Sequence, residues 1–367
     1  MEAIERDRQW MQHCLTLARR AIGRTAPNPM VGAVVIKDGQ LIGEGWHPGA
    51  GQPHAEVFAL QAAGAAVQGA TVYVSLEPCN HYGRTPPCTE ALINAGVSTV
   101  VVGMVDPDPR VSGGGIQRLR EAGITVRVGI EQAACEQLNE AFVWRITQQQ
   151  PLSILKYAMT LDGKIATTTG HSAWVSGPAS RKRVHQCRAE SDAVIVGGNT
   201  VRRDNPNLTS HGLSDHNPLR VVLTRSLDLP PDAQLWDVSV APTQVYTLPQ
   251  ANPGLQQRLD GLGVTVVTLP DLTPMAVVQN LYQQGWSQLF WECGGTLAAA
   301  ALQAGIIQKV MAFVAPKIIG GVMAPSPVGD LGLTDMGAAI VLERLKVQTV
   351  ESDLLVEGYL RTKLQHP

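Results

Sequence analysis

The stretch His54-Ala55-Glu56 is answered by Pro78-Cys79 and, after Asn80-His81-Tyr82-Gly83-Arg84-Thr85-Pro86-Pro87, by Cys88; its reading decides the fold of the first part of the chain. One imidazole and two thiolates supply three ligands for a tetrahedral zinc ion. Three protein ligands leave a fourth position for water, which is how a catalytic rather than a structural zinc site is built. His54, Cys79 and Cys88 are therefore the expected metal ligands. Glu56 stands two residues from His54 in the first turn of an expected helix, so its carboxylate points elsewhere and is left to carry protons. Taken singly, the same residues would read as a buried histidine and two packing cysteines. Their order, spacing and flanking prolines argue for the metal.

The segments around these ligands alternate between strand and helix. Trp10, Met11, Cys14, Leu15, Ala18 and Ile22 recur at helical spacing, which predicts an amphipathic helix over 4–23. Lys37-Asp38-Gly39-Gln40 lies between the apolar runs 31–36 and 41–46, and Asp-Gly between such runs is a hairpin signal. Helices are predicted from His54 to Ala63, after Pro86-Pro87 to Ala95, and over 115–122; strands over 70–76, 98–104 and 124–128. This alternation implies a sheet covered by helices on both faces.

With 367 residues the chain suits two domains. A formal charge of −2 and 5% aromatic residues lack the basic, aromatic character of a polynucleotide binder. A small-molecule substrate is expected, with no nucleic acid. No apolar run reaches the roughly 18–20 residues that span a bilayer, and no N-terminal basic segment precedes an apolar core. A cytoplasmic protein is therefore expected, without membrane partners. Cys14, Cys135, Cys187 and Cys293 read as reduced packing residues rather than a disulfide framework.

A helix ending near Arg145 is followed by Thr147-Gln148-Gln149-Gln150-Pro151, the expected domain boundary. A strand over 153–159, a helix from Pro178 to Glu190 with proline at its first position, and a strand over 193–196 follow. That strand runs into Gly197-Gly198-Asn199-Thr200; a second, over 288–292, runs into Cys293-Gly294-Gly295-Thr296. Paired glycines at a strand-to-helix crossing suit a phosphate at a helix N-terminus, and also suit a plain tight turn. No G-x-G-x-x-G fingerprint is present, which disfavours a dinucleotide fold of that type.

A carboxylate that relays a proton between the metal's water and a departing amine is the chemistry of zinc nucleobase deaminases, whose signature is H-x-E then P-C-x-x-C. Here eight residues separate the cysteines, not two. That long loop, with Asn28 in Pro27-Asn28-Pro29-Met30-Val31-Gly32, resembles the riboflavin-biosynthesis branch of the deaminases. The second half is similar to the riboflavin-pathway reductases, through Lys156-Tyr157-Ala158-Met159-Thr160-Leu161-Asp162-Gly163-Lys164, Trp174, Gly198-Asn199-Thr200-Val201, Asp204-Asn205-Pro206-Asn207-Leu208-Thr209, Gly294-Gly295-Thr296-Leu297 and Ala315-Pro316-Lys317. Together the two halves resemble the bifunctional riboflavin-biosynthesis deaminase/reductase family over nearly the whole chain.

The resemblance implies an α/β protein of two domains. A cytidine-deaminase-like three-layer α/β/α domain would span residues 1–147, and a dihydrofolate-reductase-like α/β domain residues 148–367. It implies zinc and NADPH as cofactors; a homo-oligomer is expected. The implied reactions are hydrolytic deamination of a phosphoribosylaminopyrimidine and NADPH-dependent reduction of its ribosyl group to ribityl. Carried over position by position, Asn28 and His47 would contact the pyrimidine and Arg84 its phosphate. Ala158, Trp174, Thr200, Asp204, Gly294, Gly295 and Thr296 would contact NADPH. Lys156, Ser172, Arg188, Leu208 and Glu292 would face the sugar phosphate. Two departures stand out: His211 where the family commonly has arginine, and Thr224-Arg225 where it often has Asp-Ser, which makes Arg225 a candidate partner for the 2′-phosphate of NADPH. Two other readings keep parts of this pattern. One is a deaminase whose C-terminal domain only binds nucleotide; the other is a regulatory protein with a structural zinc, for which His81 would be the fourth ligand.

Overall fold

Asp38 and Gly39 both take positive φ, 51° and 79°, as a two-residue hairpin turn requires. They join β1 (Gly32–Lys37) to β2 (Gln40–Trp46) as an antiparallel pair. The computed structural model describes residues 2–82 and 86–361, with side chains from residue 4 onward. By its internal contacts the chain divides into two units, Met1–Gln150 and Pro151–Pro367.

In the first unit, helix α1 (Glu2–Ala18) ends in a short 3-10 turn at Arg19–Ala21, so the single helix expected to Gly23 tightens in its last turn. Beyond the hairpin come α2 (Ala55–Ala63), β3 (Thr71–Leu76), α3 (Cys88–Asn94), β4 (Thr99–Met104), α4 (Gly114–Glu121) and β5 (Thr125–Val128). The sheet runs β2-β1-β3-β4-β5, with β3, β4 and β5 parallel. Gly45 pairs with Ala33 while Gly32 pairs with Trp46, so the two glycines lie on opposite faces of the sheet. A Cβ on Gly32 would come within 2.0 Å of the Cys14 carbonyl oxygen on α1; one on Gly45 would come within 2.5 Å of the Ala55 carbonyl oxygen on α2. α1 and α2 therefore press on opposite faces, and the unit has three layers. Val34, Val35, Val72, Val74, Val100, Val101 and Val102 are wholly buried between them, each worth roughly 1.5–3 kcal/mol on leaving water.

The expected last helix of this unit is two helices, α5 (Gln132–Leu138) and α6 (Glu140–Gln148), broken at Asn139. The Asn139 amide is turned to another use: it accepts from the Met30 N–H at 2.8 Å and donates to the Met30 carbonyl at 2.9 Å. That pins the Pro27–Met30 segment from behind.

The second unit is built on a nine-stranded sheet. Its elements are β6 (Leu152–Thr160), α7 (Pro178–Glu190), β7 (Ala193–Gly197), α8 (Gly198–Asp204), β8 (Leu219–Leu223), β9 (Thr243–Thr247), α9 (Pro253–Gly261), β10 (Thr265–Thr268), α10 (Pro274–Gln283), β11 (Gln288–Trp291), α11 (Gly295–Gln303), β12 (Lys309–Ala315), β13 (Leu342–Val350) and β14 (Asp353–Leu360). The order is β10-β9-β8-β7-β11-β6-β12-β14-β13, parallel from β10 to β12 and antiparallel beyond. Along its strands, Ile154, Val194, Val222 and Phe290 enter one core while Leu155, Ile195, Val221 and Leu289 enter another. Both faces are thus covered, as a parallel sheet requires. From β7 the chain runs outward through β8, β9 and β10, then returns to insert β11 between β7 and β6. Such a reversal opens a crevice at the carboxyl ends of the strands, where ligands of α/β sheets bind.

Candidate active sites

His54 is the N-cap of α2, Cys88 opens α3, and Cys79 lies on the loop after β3. One ligand atom from each lies within 4.8 Å of the others. His54 Nδ1 is 3.2 Å from Cys88 Sγ and 3.5 Å from Cys79 Sγ, while two such ligands of one tetrahedral zinc would stand about 3.5 Å apart. The donor set and its spacing fit the ion. Among the described residues the cluster comprises these three side chains; His81, the candidate fourth ligand, is exposed and outside it.

The electrostatics prepare a thiolate. The hydrogen bond from Cys88 leads in holding the Cys79 thiol down at about 4, and the Cys88 thiol is pushed up because it is the donor in that pair. His54 is raised, first by its bond to Cys79. Glu56 is 3% exposed, and His54, Cys79 and Cys88 all act on its carboxyl, which places it beside the cluster. Burial, then the charge of Cys79, pushes its carboxyl up to about 7. A group poised near neutrality can both take and return a proton.

Asn28 and His47 come together beside this cluster. Asn28 Nδ2 is 3.1 Å from His47 Nε2, His47 Nδ1 is 3.1 Å from the Pro53 carbonyl, and the His47 and His54 rings meet edge to face at 5.4 Å. The Pro53 carbonyl can only accept, so Nδ1 carries the proton and Nε2 accepts from Asn28. Burial lowers the His47 pKa and keeps this ring neutral. Arg84 lies outside the described residues.

In the second unit the buried carboxylate of Glu292, immediately after β11, organises one corner. Arg188 on α7 donates through Nε to Oε1 at 2.5 Å and through Nη2 to Oε2 at 3.2 Å, and Lys156 on β6 reaches Oε2 at 3.4 Å. Burial alone would raise this carboxyl; Arg188, then Lys156, outweigh it and hold it at about 2. Arg188 Nη1 also donates to the Thr209 carbonyl at 3.2 Å, one residue beyond the buried Leu208. His211 stacks on His185 of α7, with ring centroids 4.0 Å apart. Burial, then His211, brings His185 down to about 4, and burial, then Arg188, lowers His211.

The nucleotide candidates lie at the carboxyl ends of the parallel strands. Ala158 is on β6; Thr200 and Asp204 are on α8, which follows β7; Arg225 is exposed just beyond β8. Burial raises the Asp204 carboxyl. Trp174 is 69% exposed, with the Arg181 guanidinium 4.5 Å over its ring, and Lys317 donates to the Trp174 carbonyl at 2.7 Å. Ser172 is exposed two residues away. Gly294 caps α11 with open space where a side chain would be, and no side chain caps the first turn. Thr296 is exposed in that turn. Gly295 is packed so closely that a Cβ would come within 2.7 Å of the Ser326 carbonyl oxygen. An open helix N-terminus and an exposed flat aromatic face fit a phosphate-bearing nucleotide such as NADPH.

Comparison with known proteins bears on both sites. Residues 4–104 match the family model described as the cytidine and deoxycytidylate deaminase zinc-binding region, and residues 151–356 match the RibD C-terminal domain. The riboflavin biosynthesis protein RibD of Synechocystis sp. is 58% identical over 96% of this chain and 96% of its own length. The chain belongs to the RibD family of bifunctional riboflavin-biosynthesis enzymes. RibD of Acinetobacter baumannii superposes with a TM-score of 0.87 at 39% identity, covering 98% of this chain and 100% of that one. A diaminohydroxyphosphoribosylaminopyrimidine deaminase/5-amino-6-(5-phosphoribosylamino)uracil reductase of Thermotoga maritima does so at 0.88 and 35%, with the same coverage.

Like its RibD relatives, the chain is a bifunctional deaminase and reductase that uses zinc and NADPH, with a deaminase-like N-terminal fold and a RibD reductase C-terminal fold. Sequence reasoning missed three side chains at or behind these sites: Asn139, His185, and Glu77, whose buried carboxylate accepts backbone N–H groups at the start of α4. His185 carried a signal, since it precedes Arg188 by one helical turn on α7. The others act through backbone groups and leave no motif.

Proposed function

We propose that the domain of residues 1–147 deaminates diaminohydroxyphosphoribosylaminopyrimidine and that the domain of residues 148–367 then reduces 5-amino-6-(5-phosphoribosylamino)uracil at its ribosyl group. The observation that carries this reading is the trio His54, Cys79 and Cys88 with the buried Glu56 beside it. When bound, zinc supplies Lewis acidity toward water and NADPH supplies hydride. His54, Cys79 and Cys88 hold the metal. Glu56 takes a proton from the attacking water and passes it to the departing amine. Asn28, its amide N–H already given to His47, offers its carbonyl oxygen to a ring N–H, and Arg84 meets the phosphate.

In the reductase, Ala158, Trp174, Thr200, Asp204, Arg225, Gly294, Gly295 and Thr296 receive NADPH. Lys156, Ser172, Arg188, Leu208 and Glu292 orient the sugar phosphate, with Lys156 and Glu292 holding the opened sugar for hydride transfer. We further propose a cytoplasmic homo-oligomer that acts on this small molecule rather than on nucleic acid. No helix among the described residues is long and apolar enough to cross a membrane. The edge strand β13 exposes Leu345 and Val347 by 58% and 63%, an edge that a second copy would protect.

The deciding assay follows ammonia release and NADPH oxidation on the phosphoribosylated diaminopyrimidine. Lys156→Ala is expected to slow NADPH oxidation about 10²-fold, the cost of a misplaced reactant, with ammonia release unchanged. Treatment with a zinc chelator is expected to do the reverse: ammonia release stops and returns with added zinc, while supplied 5-amino-6-(5-phosphoribosylamino)uracil is still reduced. Loss of both activities in either experiment contradicts the division of labour.

A further inference from the structure

Glu77 has no task in the deamination chemistry, yet it is a buried carboxylate, 4% exposed, two residues before Cys79. Its Oε1 accepts the N–H groups of Gly115 and Ile116 at 2.9 and 3.1 Å. Its Oε2 accepts those of Asp106 and Gly113 at 3.1 and 2.9 Å. All four donors are backbone groups, two in the first turn of α4 and two on the loop that leads to it. N–H groups at a helix start have no partner within the helix, and a carboxylate there forms strong, charge-assisted bonds.

The ligand loop is gripped beyond Glu77 as well. A Cβ on Gly115 would stand 2.0 Å from the Pro78 carbonyl oxygen, so α4 and the Pro78 backbone are in close contact. Cys79 is then met by α3: its carbonyl accepts from the Thr89 N–H at 3.2 Å and its Sγ from the Cys88 N–H at 3.3 Å. Glu77 thus ties the strand end that carries Cys79 to one helix start, while the sulfur reaches another.

We propose that Glu77 is a positioning residue for the metal site: by anchoring the Pro78-Cys79 loop to the start of α4 it fixes where the Cys79 sulfur stands relative to His54 and Cys88, and so sets the affinity for zinc. This rests on the assignment of those three residues as ligands. Glu77→Gln keeps the shape but turns an NH₂ donor toward two of the four N–H groups. Groups that orient a metal ligand typically contribute 10–100-fold in metal affinity.

The test uses the full-length protein, with zinc affinity measured by competition against a chromophoric chelator and the thiolate-to-cobalt absorption recorded after cobalt substitution. Glu77→Gln is expected to bind zinc about 10–100-fold more weakly and to shift the cobalt band, with NADPH oxidation unchanged. Gly115→Ala pushes on the same loop from the α4 side and is expected to move both readouts in the same direction; it decides the matter if Glu77→Gln does not fold. A folded Glu77→Gln protein with unaltered zinc affinity and cobalt spectrum overturns the proposal, even if its thermal stability falls, because Glu77 would then only cap a helix. Cys79→Ser separates this from an error in the ligands: if it holds zinc as tightly as the intact protein, the ligand assignment is what fails.

Discussion

Glu56→Gln is expected to cut ammonia release by roughly 10²–10⁴-fold, the usual contribution of a positioned acid-base group, while the reduction of supplied 5-amino-6-(5-phosphoribosylamino)uracil proceeds at its normal rate. The amide has the size of the carboxylic acid but no proton to exchange, so the site keeps its shape and loses its relay. The same change is expected to leave the stability of the first unit unaltered or slightly raised. Glu56 is buried and its carboxyl is pushed up to about 7 chiefly by that burial, so a neutral side chain removes an unfavourable charge. Ammonia release and NADPH oxidation on a zinc-loaded sample, with thermal unfolding of the metal-free protein, check this. A variant that retains zinc and still releases ammonia at an undiminished rate would take the proton relay away from Glu56. A folded variant that has lost both activities would show that the two reactions do not have separate sites.

The parts of the molecule that the sequence makes legible are those where chemistry or backbone geometry restricts the residue type. Two cysteines, a histidine and a glutamate with flanking prolines are rarely assembled for any purpose but a metal, and the structure gathers His54, Cys79 and Cys88. Asp38-Gly39 marks a turn because both positions need positive φ. Pro178 marks the start of α7 because its missing N–H costs nothing there. The strand order of the second unit was not legible, since the insertion of β11 between β7 and β6 is decided by contacts far apart in sequence. β13 gave no sign of itself either: seven of its nine residues are exposed, so no alternation of buried and exposed side chains forms. Asn139 looked like one more helical residue, and its bonds to Met30 depend on where α1 and the sheet bring that segment. Glu77 stood beside a recognised ligand, but its partners are four backbone N–H groups, which any sequence possesses.

Glu292→Gln should produce the largest loss in the reductase half, in stability as well as in rate. The side chain of Glu292 is 8% exposed, and those of Arg188 and Lys156 are 12% and 16% exposed. Removing the carboxylate leaves two cations close together without their shared partner, and breaking a buried ion pair from one side costs about 3–5 kcal/mol. The pH dependence has a definite sign. The Glu292 carboxyl is held at about 2 against an ordinary 4.5, so the unfolded chain takes up the proton first as the medium is acidified. Its contribution, roughly 3 kcal/mol by linkage, is fully present above pH 4.5 and is lost as the pH falls toward 2. His185 acts in the same direction at higher pH: lowered from 6.5 to about 4, it makes the native state bind fewer protons than the unfolded chain between those values, so stability falls as acid is added. Thermal unfolding of the intact protein and of Glu292→Gln from pH 7 to pH 3 should therefore give a steep acid slope for the first and a shallower one below pH 4.5 for the second. Parallel slopes below pH 4.5 would mean that the Arg188 and Lys156 contacts do not set the state of this carboxylate, and its proposed hold on the sugar would lose its electrostatic basis.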